Sequence, residues 1–495
     1  MNILYINPAR ISAGLDYVIQ GPPLGLVSIA AMVPDHESKL IDFKVDNYSD
    51  EAFRSELNHA DLVAITSMTP QIENAFETAK IAKEQGCETI IGGYHPTLDP
   101  TYVIKNPSVD YAIRGEGEHT FYELVSYINQ EQHSLNELKK IKGISFKENG
   151  KLYHNDPRPL EPNLDNFPMP RRDLIDDSKY VYLGARVAQL ETSRGCPHSC
   201  KFCCIAQMWK DKRHHLLYRT KSIKRIMQEI YDIDWKNDFI FFCEDNFTIQ
   251  PKRTKKILKT IIQSGVQHQI YFSCQSRVDT LYHNPEIIDL MDKAGMKQVF
   301  LGVESVHQQS LNAMNKRNTT PKMTKQVIEE LQERGISIFG GVIIGYPGET
   351  KTMVRRNIAY AKSLNMTCVQ FTPITAFPGT EFYDEMKKEG KVTSNNYKHY
   401  NLFHSMMRTD ELTNREIYRL VGEAYASYYL SGYYMKLLAK RYANPLSKFN
   451  WMFKRIPSYV KRVMKNGVQM LHTQGISSNN VSEELKAILE NHHLR

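Results

Sequence analysis

Six short apolar runs, each followed by a helical pattern, constrain this chain more than any other feature. They are Ala188–Thr192, Phe239–Cys243, Tyr271–Gln275, Gln298–Val303, Ser337–Ile344 and Thr367–Thr372. The intervening patterns at Ser222–Tyr231, Pro251–Ser264, Pro285–Ala294, Thr320–Arg334 and Lys351–Leu364 repeat apolar residues at helical spacing. Continuous apolar runs of strand length suit strands covered on both faces, as parallel sheets require. Strand and helix in strict alternation predict right-handed crossovers. Residues 184–395 therefore read as six βα units forming an open, partial (β/α)6 barrel of TIM type, with its chemistry at the carboxyl ends of the strands.

Residues 1–135 show the same alternation on a smaller scale. Ile3–Ile6, Lys39–Asp42, Leu62–Ile65, Thr89–Ile91 and Tyr111–Ile113 read as strands, with helices at Leu26–Met32 and Gln71–Gln85 among those between them. This predicts a doubly wound, Rossmann-like α/β domain whose ligand sits on the loops after the strands. Residues 136–183 read as a connector: a hairpin of Ile141–Glu148 with Lys151–His154, turned at Glu148-Asn-Gly150, then a proline-rich strap over 156–170. Residues 396–495 read as a helical C-terminal region, opening with a helix at Leu412–Tyr434 capped by Thr413. At 495 residues the chain is too long for one ordinary core, which fits this division.

The first barrel strand delivers Cys196, Cys200 and Cys203 in a C-x-x-x-C-x-x-C loop, with Phe202 before the last thiol. Three thiolates ligate three irons of a cubane iron–sulfur cluster and leave the fourth iron open for a small molecule. A structural zinc site competes for the same thiols, but it usually pairs two short Cys/His clusters, and no second C-x-x-C follows. A disulfide would suit a secreted chain, which nothing else here suggests. Cys204 lies outside the spacing and reads as a packed thiol.

The spacing and its aromatic resemble the radical SAM superfamily. The resemblance implies a 4Fe-4S cluster on Cys196, Cys200 and Cys203, with S-adenosylmethionine (SAM) on the open iron and cleaved to a 5′-deoxyadenosyl radical. Gly340-Gly-Val-Ile-Ile-Gly-Tyr-Pro-Gly-Glu-Thr350 is similar to the family's adenine-facing element, which assigns Gly340, Gly341, Pro347 and Gly348 to the SAM pocket beside Phe202. Glu304, ending its strand, suits the ribose hydroxyls or a strand-end ion pair. Glu244 or Asn246 stands where relatives place acids near the SAM amino group, a helix N-cap at Asp245 or Asn246 being the alternative. By alternation Ser273, Gln275 and Arg277 face the barrel mouth, Arg277 as partner for the SAM carboxylate.

The series P-P-L-G-L, G-G-Y-H-P-T and R-G-E-G-E in the first domain resembles the cobalamin-binding domain that precedes many radical SAM modules. It implies a cobalamin pocket containing Ser67, Thr69, Gly92, Gly93, His95, Gly115 and Glu116. The D-x-H-x-x-G motif that brings a histidine to cobalt in many such domains is missing, so the lower axial site has no assigned ligand; His95 competes for it with a loop hydrogen-bonding role. The whole is similar to the cobalamin-binding radical SAM enzymes, among them hopanoid methylases and the anaerobic magnesium-protoporphyrin cyclase. This implies methylation of an unactivated carbon in a small-molecule or lipid substrate, with an electron donor such as flavodoxin or ferredoxin. Cyclisation or carbon–carbon bond formation without methyl transfer, on a porphyrin or lipid, is the alternative; a radical RNA modifier and an iron–sulfur or cobalamin sensor are less well matched.

Composition bears on location. No run of about 18 apolar residues predicts a membrane-spanning helix. The N-terminus enters a strand without the build of a signal peptide, so a cytoplasmic protein is expected. From Ala424 to Ser482 there is no Asp or Glu, and nine Lys/Arg from Lys436 to Lys465 interleave with aromatics. Peripheral membrane contact through 433–465 is the reading taken, with a solvated basic face next and nucleic acid not favoured.

Overall fold

The computed structural model describes residues 1–8, 21–182, 185–209, 217–234, 236–432, 434 and 436. The first sheet contains β1 (Asn2–Asn7), β2 (Glu37–Asp42), β3 (Leu62–Thr66), β4 (Glu88–Gly92), β5 (Tyr111–Ile113), β6 (Ile144–Glu148) and β7 (Lys151–His154). Their order is β2-β1-β3-β4-β5-β6-β7, the first five parallel. Residues Ile3 to Ile6 of β1 are buried throughout, because helices cover both faces. Strand order reverses between β1 and β3, which opens a crevice at the carboxyl ends there.

The hairpin expected in the connector belongs to this sheet. β6 pairs antiparallel with β5, placing Ile113 opposite Ile144, and β7 folds back on β6. Ile144 and Phe146 are buried against Phe121 and Leu124, so the apolar face of the hairpin completes the core of the first domain. The strap proper begins only after it.

β8 (Val181–Tyr182) and β9 (Ala185–Leu190) lead into an antiparallel ribbon, β10 (Ser193–Arg194) with β11 (Arg219–Thr220). β12 (Phe239–Phe242), β13 (Tyr271–Ser276), β14 (Met296–Glu304), β15 (Ser337–Ile344) and β16 (Cys368–Pro373) follow. The second sheet runs β16-β15-β14-β13-β12-β9-β8, with β9 and β12 to β16 all parallel. It is the expected six-unit half-barrel, with Ile226, Ile257, Ile287, Val327 and Val354 of its outer helices packed into one core. Ser222, Thr320 and Thr350 cap three of these helices by accepting a hydrogen bond from the third residue on.

An open barrel leaves its last strand with unpaired backbone groups. The helix Asn414–Tyr429, capped by the expected Thr413 and by Glu416, answers them with tyrosine hydroxyls. Tyr429 Oη donates to Val369 O at 2.7 Å and accepts from Val369 N at 2.8 Å, while Tyr428 Oη donates to Met366 O at 2.7 Å and Tyr434 Oη to Thr367 O at 3.1 Å. Tyr434, one of the aromatics read as membrane-facing, is thus buried in the barrel core. Apart from Tyr434 and the exposed Lys436, the 433–465 segment lies outside the described residues. No described helix is long and apolar enough to cross a membrane.

Two devices lock the sheets together. Arg194 and Arg219 of the ribbon bind Glu116, at 3.0 and 2.8 Å, and Arg194 also binds Glu118 at 2.6 Å; all four are largely buried. Beyond the barrel, Tyr397, Tyr400 and Met406 enter the first domain's core beside Ile6, Val63 and Ile72.

Candidate active site

β9 ends at Leu190, and the chain turns through Gly195 into the cysteine loop. Gly195 sits at φ +95, and a Cβ there would lie 1.9 Å from Leu217 O, so only glycine passes this point. Cys196, Cys200 and Cys203 are half-buried free thiols lining one cavity of about 610 Å3. Among the described residues no three His, Cys, Asp or Glu side chains close on a single ion. A cubane makes no such demand, since each thiolate serves its own iron. Phe202 lines the cavity and packs on the group containing Met314, Ile343 and Tyr346.

Strand ends supply the facing groups. Arg277 is gripped by Asp279, at 3.0 and 2.8 Å, and its Nη1 donates to Cys200 Sγ at 3.7 Å, giving the thiolates a fixed cation. Glu304 lines the cavity at φ 59, and Lys316 Nζ lies 2.6 Å from its Oε1. Asn246 also lines it: its Oδ1 accepts from Thr248 N and Oγ1, while its buried Nδ2 has no partner in the protein. An orphaned buried donor on a residue that lines the same cavity as the three cysteines would suit a ligand with acceptor atoms, as the amino-acid end of SAM has.

The other expected SAM contacts are elsewhere. Glu244 turns away from the cavity: Thr192 Oγ1 donates to its Oε1 at 2.6 Å, and burial pushes its pKa up to about 7. Its neighbour Asp245 faces the cavity instead, with a pKa raised by burial to about 6. Ser273 lines a second cavity inside the barrel. Gly340 and Gly341 lie within β15, where a Cβ at Gly340 would meet Met366 Sδ at 2.3 Å and one at Gly341 would meet Phe300 at 3.2 Å. Pro347 and Gly348 form the following turn, fastened by Gly348 N donating to Glu411 at 3.1 Å and by the buried set Glu349, Ser305 and Asn357. None of these four lines the cavity.

The opposite wall comes from the first domain. Met68, Thr69 and Pro70 after β3, and Tyr94 and Leu98 after β4, face the cysteine loop across the same space. Gly93 permits this by its φ of +107; a Cβ there would lie 2.9 Å from Ser67 O. Met68, half exposed, offers an apolar surface suited to a flat ligand. Ser67 is buried with its hydroxyl donating to Met68 O, and Gly92 ends β4. Gly115 N donates to Thr97 Oγ1 at 2.9 Å, and Glu116 is engaged with Arg194 and Arg219. His95 is fully buried, its Nδ1 3.3 Å from Thr69 Oγ1 and its ring edge-on to Tyr397, and burial holds it neutral with a pKa near 4.

The segment Tyr400–Leu402 closes the remaining side. Lys316, Asp245, Tyr94 and Leu402 were not among the expected site residues. Asp245 is legible in sequence as a charge beside two assigned positions and Tyr94 as a member of the G-G-Y-H-P-T run, whereas Lys316 and Leu402 carry no motif.

The sequence matches two family models. Residues 190–361 match the model of the radical SAM superfamily and residues 14–125 that of the B12 binding domain. An uncharacterised methyltransferase of Pyrococcus horikoshii is 33% identical over 439 residues, 87% of this chain and 93% of the relative. The chain belongs to the radical SAM superfamily. It is a radical SAM enzyme with a cobalamin-binding domain, and its cofactors are a 4Fe-4S cluster, SAM and cobalamin. The anaerobic magnesium-protoporphyrin IX monomethyl ester cyclase of Rubrivivax gelatinosus is 25% identical, over 95% of this chain and 83% of the relative. In fold, the cobalamin-dependent S-adenosylmethionine radical enzyme OxsB, solved with aqua-cobalamin and SAM, superposes with a TM-score of 0.70 at 19% identity, covering 99% of this chain and 75% of that one.

Proposed function

We propose that this enzyme methylates an unactivated carbon of a small-molecule or lipid substrate. The observation that carries the reading is the single cavity walled on one side by Cys196, Cys200 and Cys203 and on the other by Met68, Thr69 and Tyr94. When bound, the cluster supplies the electron that cleaves SAM, and cobalamin supplies the methyl group. The chain's own part is positioning and exclusion of water.

In this reading the three thiolates hold the cluster, with Arg277 balancing their charge near Cys200. Asn246 Nδ2 binds the amino-acid end of SAM, and Glu304, paired with Lys316, takes the ribose hydroxyls. Ser67, Gly92, Gly93 and Gly115 shape the cobalamin side, while Glu116 holds the two walls in register. His95, neutral and packed among tyrosines, stiffens the loop after β4.

The substrate is read as a lipid or porphyrin-sized molecule, the electron donor as a flavodoxin or ferredoxin, and the location as cytoplasmic with membrane contact through the basic residues of the 433–465 segment. The relationship to a cyclase keeps a second outcome in view, the same radical chemistry ending in ring closure.

The test is anaerobic turnover of the reconstituted enzyme with SAM, reductant and a cell lipid extract, with and without cobalamin. 5′-Deoxyadenosine and S-adenosylhomocysteine rising together only with cobalamin is the expected result. Deoxyadenosine alone selects ring closure, and neither product, with Cys196→Ala behaving identically, rejects the reading.

A further inference from the structure

The half-barrel is not filled by side chains. A second cavity of about 270 Å3 lies within its lumen, adjoining the cofactor cavity along Gln275, Phe300 and Leu402, which line both. Its walls are phenyl rings and four glutamines on four different strands: Gln189 on β9, Gln275 on β13, Gln298 on β14 and Gln370 on β16. Among the described residues no charged side chain lines it.

A void lined only by apolar groups would be a packing defect; amides in such a place must bond or lose hydration. Gln298 Nε2 is buried and closes no short hydrogen bond in the protein, with the Tyr182 hydroxyl of the same wall beside it. Gln275 spends Nε2 on Glu244 O at 3.3 Å, which leaves its carbonyl oxygen for the lumen. Leu402 holds its side chain between the two cavities at φ 65, a conformation that a branched residue adopts only when its surroundings impose it.

We infer that this lumen is a substrate subsite that admits an uncharged, ring-sized portion bearing hydrogen-bonding groups and rejects carboxylates and phosphates. Amides donate and accept, so the glutamines satisfy a carbonyl, amide or hydroxyl without a counter-ion. An anion here would be stripped of water with no cation among the described lining residues to meet it. The volume lies just below the usual ligand range of about 300–1,000 Å3, so one end of the substrate enters and the remainder extends past Leu402 into the cofactor cavity. A porphyrin-sized substrate would therefore keep its acidic edge outside the lumen. Calling the occupant a substrate rests on the proposed reaction; the binding selectivity does not.

The experiment is equilibrium dialysis on the full-length enzyme loaded with cluster, cobalamin and SAM, using 2-naphthamide and its anionic isostere 2-naphthoate at pH 7.5. The expected result is naphthamide binding at one site at least tenfold tighter than naphthoate, weakened at least fivefold in Gln298→Leu. Gln370→Lys, which puts a cation in the lumen, is expected to reverse the preference. Equal affinity for the two probes, no binding of either, or naphthamide binding unchanged in both variants overturns the inference. Because no turnover is needed, failed methylation and failed selectivity are separate results.

Discussion

Glu304 and Lys316 form an ion pair of 2.6 Å at the wall of the cofactor cavity, and Lys316 Nζ also donates to Gly302 O at 3.2 Å. Glu304 is in the left-handed region, at the shift in register where β14 leaves β15. The lysine thus fixes the direction of a carboxylate whose backbone is under strain. Lys316→Met leaves that carboxylate buried without a counter-ion, a change that typically costs about 3 kcal/mol. The expected outcome is a matching loss in denaturant unfolding and SAM affinity at least tenfold weaker by dialysis, both largely restored in Lys316→Arg.

Arg194 binds Glu116, Glu118 and Glu191, so one guanidinium joins the barrel ribbon to the first domain. Arg194→Met removes the shared cation and leaves three acids around Arg219 and Lys221. Calorimetry of the variant is expected to resolve two transitions where the wild type shows one, with stability lower by roughly 3–5 kcal/mol.

Tyr429 satisfies both the amide and the carbonyl of Val369 on the barrel's last strand. Tyr429→Phe keeps the ring and strips the hydroxyl, so a buried backbone pair loses its partner at a cost of about 1–3 kcal/mol. Hydrogen exchange at Val369 is expected to quicken while the strands on the far side of the barrel stay protected.

Glu244 sets a pH dependence. Burial raises its carboxyl from the ordinary 4.5 to about 7, against the lowering effect of its bonds to Thr192 and of Arg253. The folded state therefore binds this proton more tightly than the unfolded chain does. The contribution is most favourable below pH 4.5, is lost as pH rises through 7, and amounts to roughly 3 kcal/mol across that window. Glu244→Gln is expected to flatten unfolding free energy between pH 5 and 8; an unchanged slope would assign the dependence to another group.

How much was legible in sequence followed from whether periodicity or local spacing carried the signal. The parallel strands, the cysteine loop and the cap at Thr413 are written in runs of a few residues, and they stand where expected. The hairpin was seen as a hairpin, yet its sheet was not, because pairing of Ile113 with Ile144 spans the whole helix Glu118–Ile128 and depends on packing against Phe121. Glu244 and Asp245 show the limit most sharply: adjacent acids at a strand end point in opposite directions, and only the position of Thr192, just past the end of the neighbouring strand β9, decides which one faces the cavity. Lys316 and Leu402 come from segments without a motif, brought in by the chain's path beyond β14 and β16.

Tyr397, Tyr400 and Met406 complete the hydrophobic core of a domain whose own strands end at His154. During synthesis that domain leaves the ribosome with a slot in its interior, and the residues that fill it follow roughly 12–50 seconds later at ordinary elongation rates. Until the second half is made, the nascent first half lacks the cover that these three side chains give to Ile6, Val63 and Ile72. Once it is made, the same three side chains act as a clasp, so the core of the cobalamin side is completed by chain that follows the radical-generating side.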